Sequence, residues 1–259
     1  MMSEPEDPKQ LYISLLDEIQ AVVQDHLNLN TLSLILYGSY LHERKNLKSS
    51  KFLPLESDLD LMLILDTRNE NSAEFLRKTT EVLNPLIFEP SYASILDLNI
   101  MEVSDFPIPL GASYNTLLLD AASQGALLFG KYNVLEKFTY SQEDIKTASM
   151  YHIYNTWENL KTNFLHRDMV RGSELFWMGV DNVLEGAHTY CAWHGKRNLV
   201  RMEVVDEITE ILKEPYIDTV KKAHQFRYED NYDLQYPFKY VQECLILLRH
   251  MYYDMKNGF

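Results

Sequence analysis

The sequence predicts an α+β protein, a mixed sheet with flanking helices followed by an all-helical bundle, and three observations predict it. Leu32 to Tyr37 and Leu59 to Leu65 are continuous apolar runs of strand length, too short and too uniform for surface helices. Around them, apolar residues recur at three- and four-residue steps, the period of an amphipathic helix lying on a sheet. Near residue 140 the strand-like segments stop, and helical patterns fill the rest of the chain. The expected organisation is a loose polar N-terminus over residues 1–9, a sheet domain over 10–138, and a helical substrate-binding or lid domain over 139–259.

Ile13, Leu15, Leu16, Ile19, Val22, Val23 and Leu27 mark the first helix. The strand Leu32 to Tyr37 then ends at Gly38-Ser39, read as a turn. Residues 40–56 are polar and locally basic, with His42, Arg44, Lys45, Lys48 and Lys51 beside Glu43. The second strand, Leu59 to Leu65, closes in the turn-forming residues 66–72. Phe75, Leu76, Thr79, Val82 and Leu83 then mark a helix expected to stop before Pro85. Alternation from Tyr92 to Val103 predicts a third strand with Ile95, Asp97, Asn99 and Met101 on one face, ended by Pro107 and Pro109. A helix from about Tyr114 to Gln124 and the short apolar segment Leu127 to Phe129 before Gly130 complete this half. In the second half, Ser141 with Glu143 and Asp144 predicts a helix start. Helices are expected at about 142–165, 172–194 (ended by Gly195), 202–213 (ended before Pro215) and 238–256, with 225–237 an aromatic, acidic connector.

The chain of 259 residues carries 38 acidic and 24 basic side chains, a formal net charge of -14. That balance favours a cationic or neutral substrate and disfavours, without excluding, long nucleic acid. Cys191 and Cys244 are the only thiols, and the acidic start does not look like a secretory signal, so a reducing cytoplasm is expected. No apolar run approaches the roughly 20 residues of a spanning helix, so no membrane anchor is expected. The sequence is compatible with a homodimer.

The chemistry concentrates in two stretches. Asp58 and Asp60 stand two apart on a strand and so share a face, while Leu59 and Leu61 face the core. Adjacent carboxylates repel, and burying that repulsion requires a compensating cation; hard oxygen ligands of this kind suit Mg2+ that also holds substrate phosphates. Asp97 is positioned to supply a third carboxylate from a neighbouring strand, with Glu102 and Asp105 as alternatives. Such a cluster can hold two metal ions about 3.5–4 Å apart, a spacing that stabilises both attacking and leaving oxygens. Gly38 frees the turn for backbone N–H groups to approach a phosphate, Ser39 adds a hydroxyl, and Arg44 or Lys45 is placed to meet outer phosphates. Gly-Ser after a strand is more often an ordinary turn, and Asp-Leu-Asp is often an exposed edge. Here, however, Leu61 to Leu65 imply a buried strand, on which paired aspartates lack a structural explanation.

In this order, Gly38-Ser39, Ser57-Asp58-Leu59-Asp60 and a later strand carrying Asp97, the chain resembles the DNA-polymerase-beta-like nucleotidyltransferase superfamily over roughly residues 10–130. Asp97-Leu-Asn-Ile-Met is similar to the third-carboxylate strand of aminoglycoside (kanamycin-type) nucleotidyltransferases. The resemblance implies that Asp58 and Asp60 bind magnesium, that Gly38 and Ser39 contact the triphosphate of ATP or another NTP, and that Asp97 is a metal ligand or the base. The activity it implies is transfer of a nucleoside monophosphate, AMP from ATP, to an acceptor hydroxyl on a small cationic molecule such as an aminoglycoside. The link from Gly38-Ser39 to the aspartates, residues 40–57, is longer and richer in lysine than the family pattern.

The helical half resembles the C-terminal domain of the kanamycin-type enzymes and, more loosely, HEPN-like bundles. By that resemblance Glu158 is the candidate base on the first helix of the bundle, although a Glu three residues before Lys161 also reads as a solvated ion pair. Trp157, Phe176 and Trp177 read as core rather than as a base-stacking platform, and His188 and His194, six apart, as structural or surface residues rather than a metal pair. Two rival functions follow from other features. A toxin–antitoxin-type protein or tRNA nucleotidyltransferase would use the basic segment 44–51, and a catalytically inactive interaction module would use the bundle alone.

Overall fold

Residues 8–45, 52, 57–66, 72–93, 95–103, 113–138, 140–166, 171–197, 204–228 and 237–258 are described by the computed structural model. The chain divides into two compact units, residues 1–108 with 118–139, and residues 109–117 with 140–259.

In the first unit, α1 (Pro8–Val22) runs on as a wider helical turn through Leu27 and leads into β1 (Thr31–Leu36). Then come α2 (Gly38–Arg44), β2 (Leu59–Leu65), α3 (Ser72–Ile87), β3 (Leu96–Glu102), α4 (Ser113–Ser123), which crosses the division between the units, and β4 (Ala126–Gly130). The four strands lie in the order β3-β2-β1-β4. β1 is antiparallel to β2 and β4, whereas β2 and β3 are parallel, so the sheet is mixed as predicted.

Strand alternation sorts the side chains. Leu34, Leu36, Leu59, Leu61, Leu63 and Leu65 join one buried core with Tyr12, Leu15, Ile19 and Leu27 of the first helix and Phe75, Leu83 and Leu86 of α3. By register, the opposite face carries Ile35, Met62 and Ile64, together with Asp60, Asp97 and Asn99. The apolar positions thus hold the sheet to its helices and leave the polar ones on one side.

Three expectations in this unit are corrected. α3 continues through Pro85 to Ile87, because a proline in the last turn removes a single helical hydrogen bond and the helix ends soon afterwards. β3 begins at Leu96 rather than Tyr92, since Tyr92 and Ile95 belong to a turn: Ile95 N donates to Tyr92 O at 2.9 Å, and the Tyr92 hydroxyl donates to Glu18 Oε1 at 2.7 Å. The turn breaks the alternation, so Ile95 packs in the leucine core rather than with Asp97. Residues 1–7, most of the basic stretch (Lys48 and Lys51 among them) and Asp105 lie outside the described residues.

The second unit contains α5 (Gln142–Leu165), α6 (Gly172–Trp193), α7 (Val204–Ile208), α8 (Tyr216–Tyr228) and α9 (Pro237–Asn257). Its core joins Ile153 and Leu160 of α5, Phe176, Val180, Val183 and Leu184 of α6, and Cys244, Leu247, Leu248 and Met251 of α9. Gly195, at φ +86, follows α6, where a residue able to adopt the left-handed region is required. α7 is shorter than predicted, and α8 occupies residues assigned to no helix or to the connector. Its weak signal explains this: only Ile217, Thr219, Val220 and Ala223 are buried along a helix rich in lysine, histidine and tyrosine. α5 begins at a capping box, in which Asp144 N donates to Ser141 Oγ at 3.1 Å and Ser141 N to Asp144 Oδ2 at 2.8 Å. Ser141→Ala is therefore expected to cost about 1 kcal/mol of stability, read as a shift in the denaturant midpoint. Among the described residues, no helix is long and apolar enough to cross a membrane.

Candidate active site

The parallel register of β2 and β3 places Asp60 directly beside Asp97. Neighbouring strands lie about 4.8 Å apart, and paired residues share a face, so the two carboxylates leave the sheet together. Glu102 pairs with Leu65, five residues further along and on the opposite face, about 16 Å away, and so cannot serve as the third acid. Asp58 stands one residue ahead of β2 and is exposed.

Gly38 closes the arrangement from β1. It has φ +72, and a Cβ built on it would fall 1.9 Å from Asp60 Oδ2 and 2.6 Å from Asp60 Cγ. The Gly38 backbone therefore rests directly on the Asp60 carboxylate, an approach open to glycine alone. The adjacent Tyr37 N donates to Asp60 O at 3.1 Å, holding the chain in that contact. Gly38 and Ser39 are thus the first turn of α2 rather than a simple turn, and N–H groups at that end have no partner within the helix. Arg44 stands at the other end of α2, about 9 Å along its axis, where a cation complements the helix dipole. The structure brings Gly38, Asp60 and Asp97 together, with Ser39 next to Gly38 in the first turn of α2, and places the Arg44 backbone away from them.

α2 is anchored by contacts that the sequence did not reveal. Tyr12, Tyr40 and Phe52 form an aromatic trio with ring centroids 4.7–5.2 Å apart. The Tyr12 hydroxyl also donates to Ser57 O at 2.7 Å, just before Asp58. One helical residue thereby steadies both the α2 end and the Asp58 end of the site.

Asp97 is half-buried, and burial raises its carboxyl above the ordinary aspartate range, opposed by a hydrogen bond from Asn99. Asn99 Nδ2 donates both to Asp97 Oδ1 and to the Tyr37 hydroxyl, each at 3.1 Å. Asn99 was legible as a face-mate of Asp97, but its role and that of Tyr37 were not.

Among the described residues, no three His, Cys, Asp or Glu side chains converge as placed on a single cation position. The adjacent pair nonetheless fits magnesium by donor chemistry, because that ion is commonly held by one or two carboxylates, with substrate phosphates and water completing its shell. Asp60 and Asp97 would be its ligands, with Asp58 next to them along the chain.

In the helical unit, Glu158 forms an ion pair with Lys161, the alternative that its spacing also predicts. Lys161 Nζ in turn lies 4.8 Å from the centre of the Trp157 ring. Glu158→Gln is expected to cost at most about 1 kcal/mol of stability, as for other partly exposed pairs; denaturant unfolding checks this. Phe176 is buried in the core, and Trp157 and Trp177 pack against it partly exposed. His188 is half-buried, while His194 is exposed and lies edge-on to Tyr190 and Trp193.

No family model matches the chain. No curated protein matches it significantly. Among solved structures it is similar to a nucleotidyltransferase-like protein from Exiguobacterium sibiricum 255-15, with 13% identity, coverage of 96% of this chain and 75% of that chain, and a TM-score of 0.35.

Proposed function

We propose that the chain is a magnesium-dependent nucleotidyltransferase that moves AMP from ATP to an acceptor hydroxyl. The observation that carries this reading is the contact of the Gly38 end of α2 with Asp60, itself in register with Asp97. It joins a group suited to phosphate with carboxylates suited to a divalent cation. The order of Gly38-Ser39, Asp58-x-Asp60 and Asp97, which resembles the DNA-polymerase-beta-like superfamily, favours nucleotidyl transfer over transfer of a terminal phosphate.

In this mechanism, Gly38 and Ser39 orient the triphosphate through backbone N–H groups and the serine hydroxyl. Asp58 and Asp60, with Asp97 beside them, would hold magnesium, whose chemistry is to neutralise charge on the phosphate oxygens. Asp97 serves as a further ligand of that ion or as the base that accepts the proton of the attacking hydroxyl. The acceptor oxygen forms a bond to the alpha phosphorus, the bond from that phosphorus to the bridging oxygen breaks, and pyrophosphate leaves. The net charge of -14 favours a small cationic acceptor, with aminoglycosides as the representative class.

Purified protein incubated with magnesium and either alpha- or gamma-labelled ATP, in the presence of aminoglycosides or bulk tRNA, tests each level of the reading. Alpha label on an aminoglycoside is the expected result. Alpha label on tRNA would retain the transferase and replace its acceptor. Gamma label on any acceptor, or no transfer at all, would overturn the nucleotidyl assignment.

A further inference from the structure

We propose that Tyr37 and Asn99 form a positioning bridge that sets the Gly38 end of α2 and the carboxylate of Asp97 as one unit. The proposal rests on the reading of Asp60 and Asp97 as ligands for a divalent cation.

The strand order places β2 between β1 and β3, so Gly38 and Asp97 approach Asp60 from opposite sides. Tyr37 connects them. Its backbone N is fixed to Asp60 O, and its buried side chain, on the same face of the sheet as Asp60, meets Asn99 of β3 through the hydroxyl. Asn99 carries two protons on Nδ2 and directs one to the Tyr37 oxygen and one to Asp97 Oδ1. The bond to Oδ1 thereby fixes the orientation of the Asp97 carboxylate. A shift of the Tyr37-Gly38 peptide is thus transmitted through one amide to the third acid.

Satisfying a half-buried tyrosine hydroxyl and carboxylate is a purely structural role that the same bonds could fill. The two roles separate experimentally, because partners that orient a metal ligand typically change metal affinity ten- to a hundredfold on removal, whereas a structural bond changes stability alone.

The probe is Mn2+ as a surrogate for magnesium, titrated calorimetrically into the full chain without nucleotide, alongside thermal unfolding. Asn99→Leu keeps the side-chain volume and removes the donor, and is expected to weaken Mn2+ binding about tenfold or more. Tyr37→Phe removes one oxygen and is expected to weaken it about threefold. The double variant should bind within about twofold of Asn99→Leu, because the two residues act through one amide. Mn2+ affinity unchanged in Asn99→Leu, or strictly additive losses, would overturn the bridge while leaving the carboxylate reading intact. Should Asn99→Leu not fold, unchanged affinity in Tyr37→Phe overturns the bridge in its place. No Mn2+ binding by the wild-type chain would remove the carboxylate reading and the bridge together.

Discussion

Asp60→Asn is expected to lower the proposed nucleotidyl transfer by about a thousandfold, on the order of 4 kcal/mol of lost transition-state stabilisation, without unfolding the protein. The central place of Asp60 drives the expectation: it lies beneath Gly38 on one side and beside Asp97 on the other. Asparagine preserves the shape on which the Gly38 backbone rests but removes the charge that would hold a cation. Asparagine is nearly isosteric with aspartate, so the unfolding temperature should stay close to that of the unsubstituted chain. Steady-state kinetics beside thermal denaturation separate the two effects. A variant with near-wild-type rates would remove Asp60 from the mechanism, and one that lost rate and stability together would reassign it to the fold.

Gly38→Ala is expected to impair both stability and the proposed nucleotide binding. Alanine at φ +72 costs about 1–2 kcal/mol for the left-handed backbone. Its Cβ would also lie 1.9 Å from Asp60 Oδ2 and 3.0 Å from Asp60 Cβ, so the short side chain cannot escape by moving its tip alone. Forced displacement adds about 1–3 kcal/mol, for a total of roughly 2–5 kcal/mol. Denaturant unfolding measures the loss, and ATP titration of the folded fraction should show weaker binding because the first turn of α2 no longer rests on the carboxylate. In the double variant Gly38→Ala with Asp60→Ala, the contact to the carboxylate disappears and part of the stability should return. Equal losses in the single and double variants would show that backbone strain, not the carboxylate contact, explains the glycine.

The element types were legible wherever burial imposed a strong pattern. β1 and β2 announced themselves because their inner faces and much of their outer faces are apolar, and α5, α6 and α9 because each buries a long stripe. α8 was not legible, since four small or medium buried side chains leave little periodic signal. The start of β3 was misplaced because the apolar Tyr92 and Ile95 serve a turn that sequence alternation does not distinguish from a strand. Pro85 misled at the end of α3, because its cost depends on which helical bonds remain beyond it.

By itself, the sequence determined the α+β class, the acidic charge balance and the candidate residues Gly38, Ser39, Asp58, Asp60 and Asp97, since these follow from local period and residue chemistry. Only the tertiary structure decided their partnerships. Asp60 meets Asp97 through a parallel register between strands separated by a helix, and Asp60 meets Gly38 through antiparallel pairing of β2 with β1. Strand pairing is set by how leucines far apart in sequence share one core, and no local pattern encodes that choice. The same limit separates Arg44, near Gly38 in sequence but at the opposite end of α2, from Asn99, remote in sequence yet bonded to Tyr37.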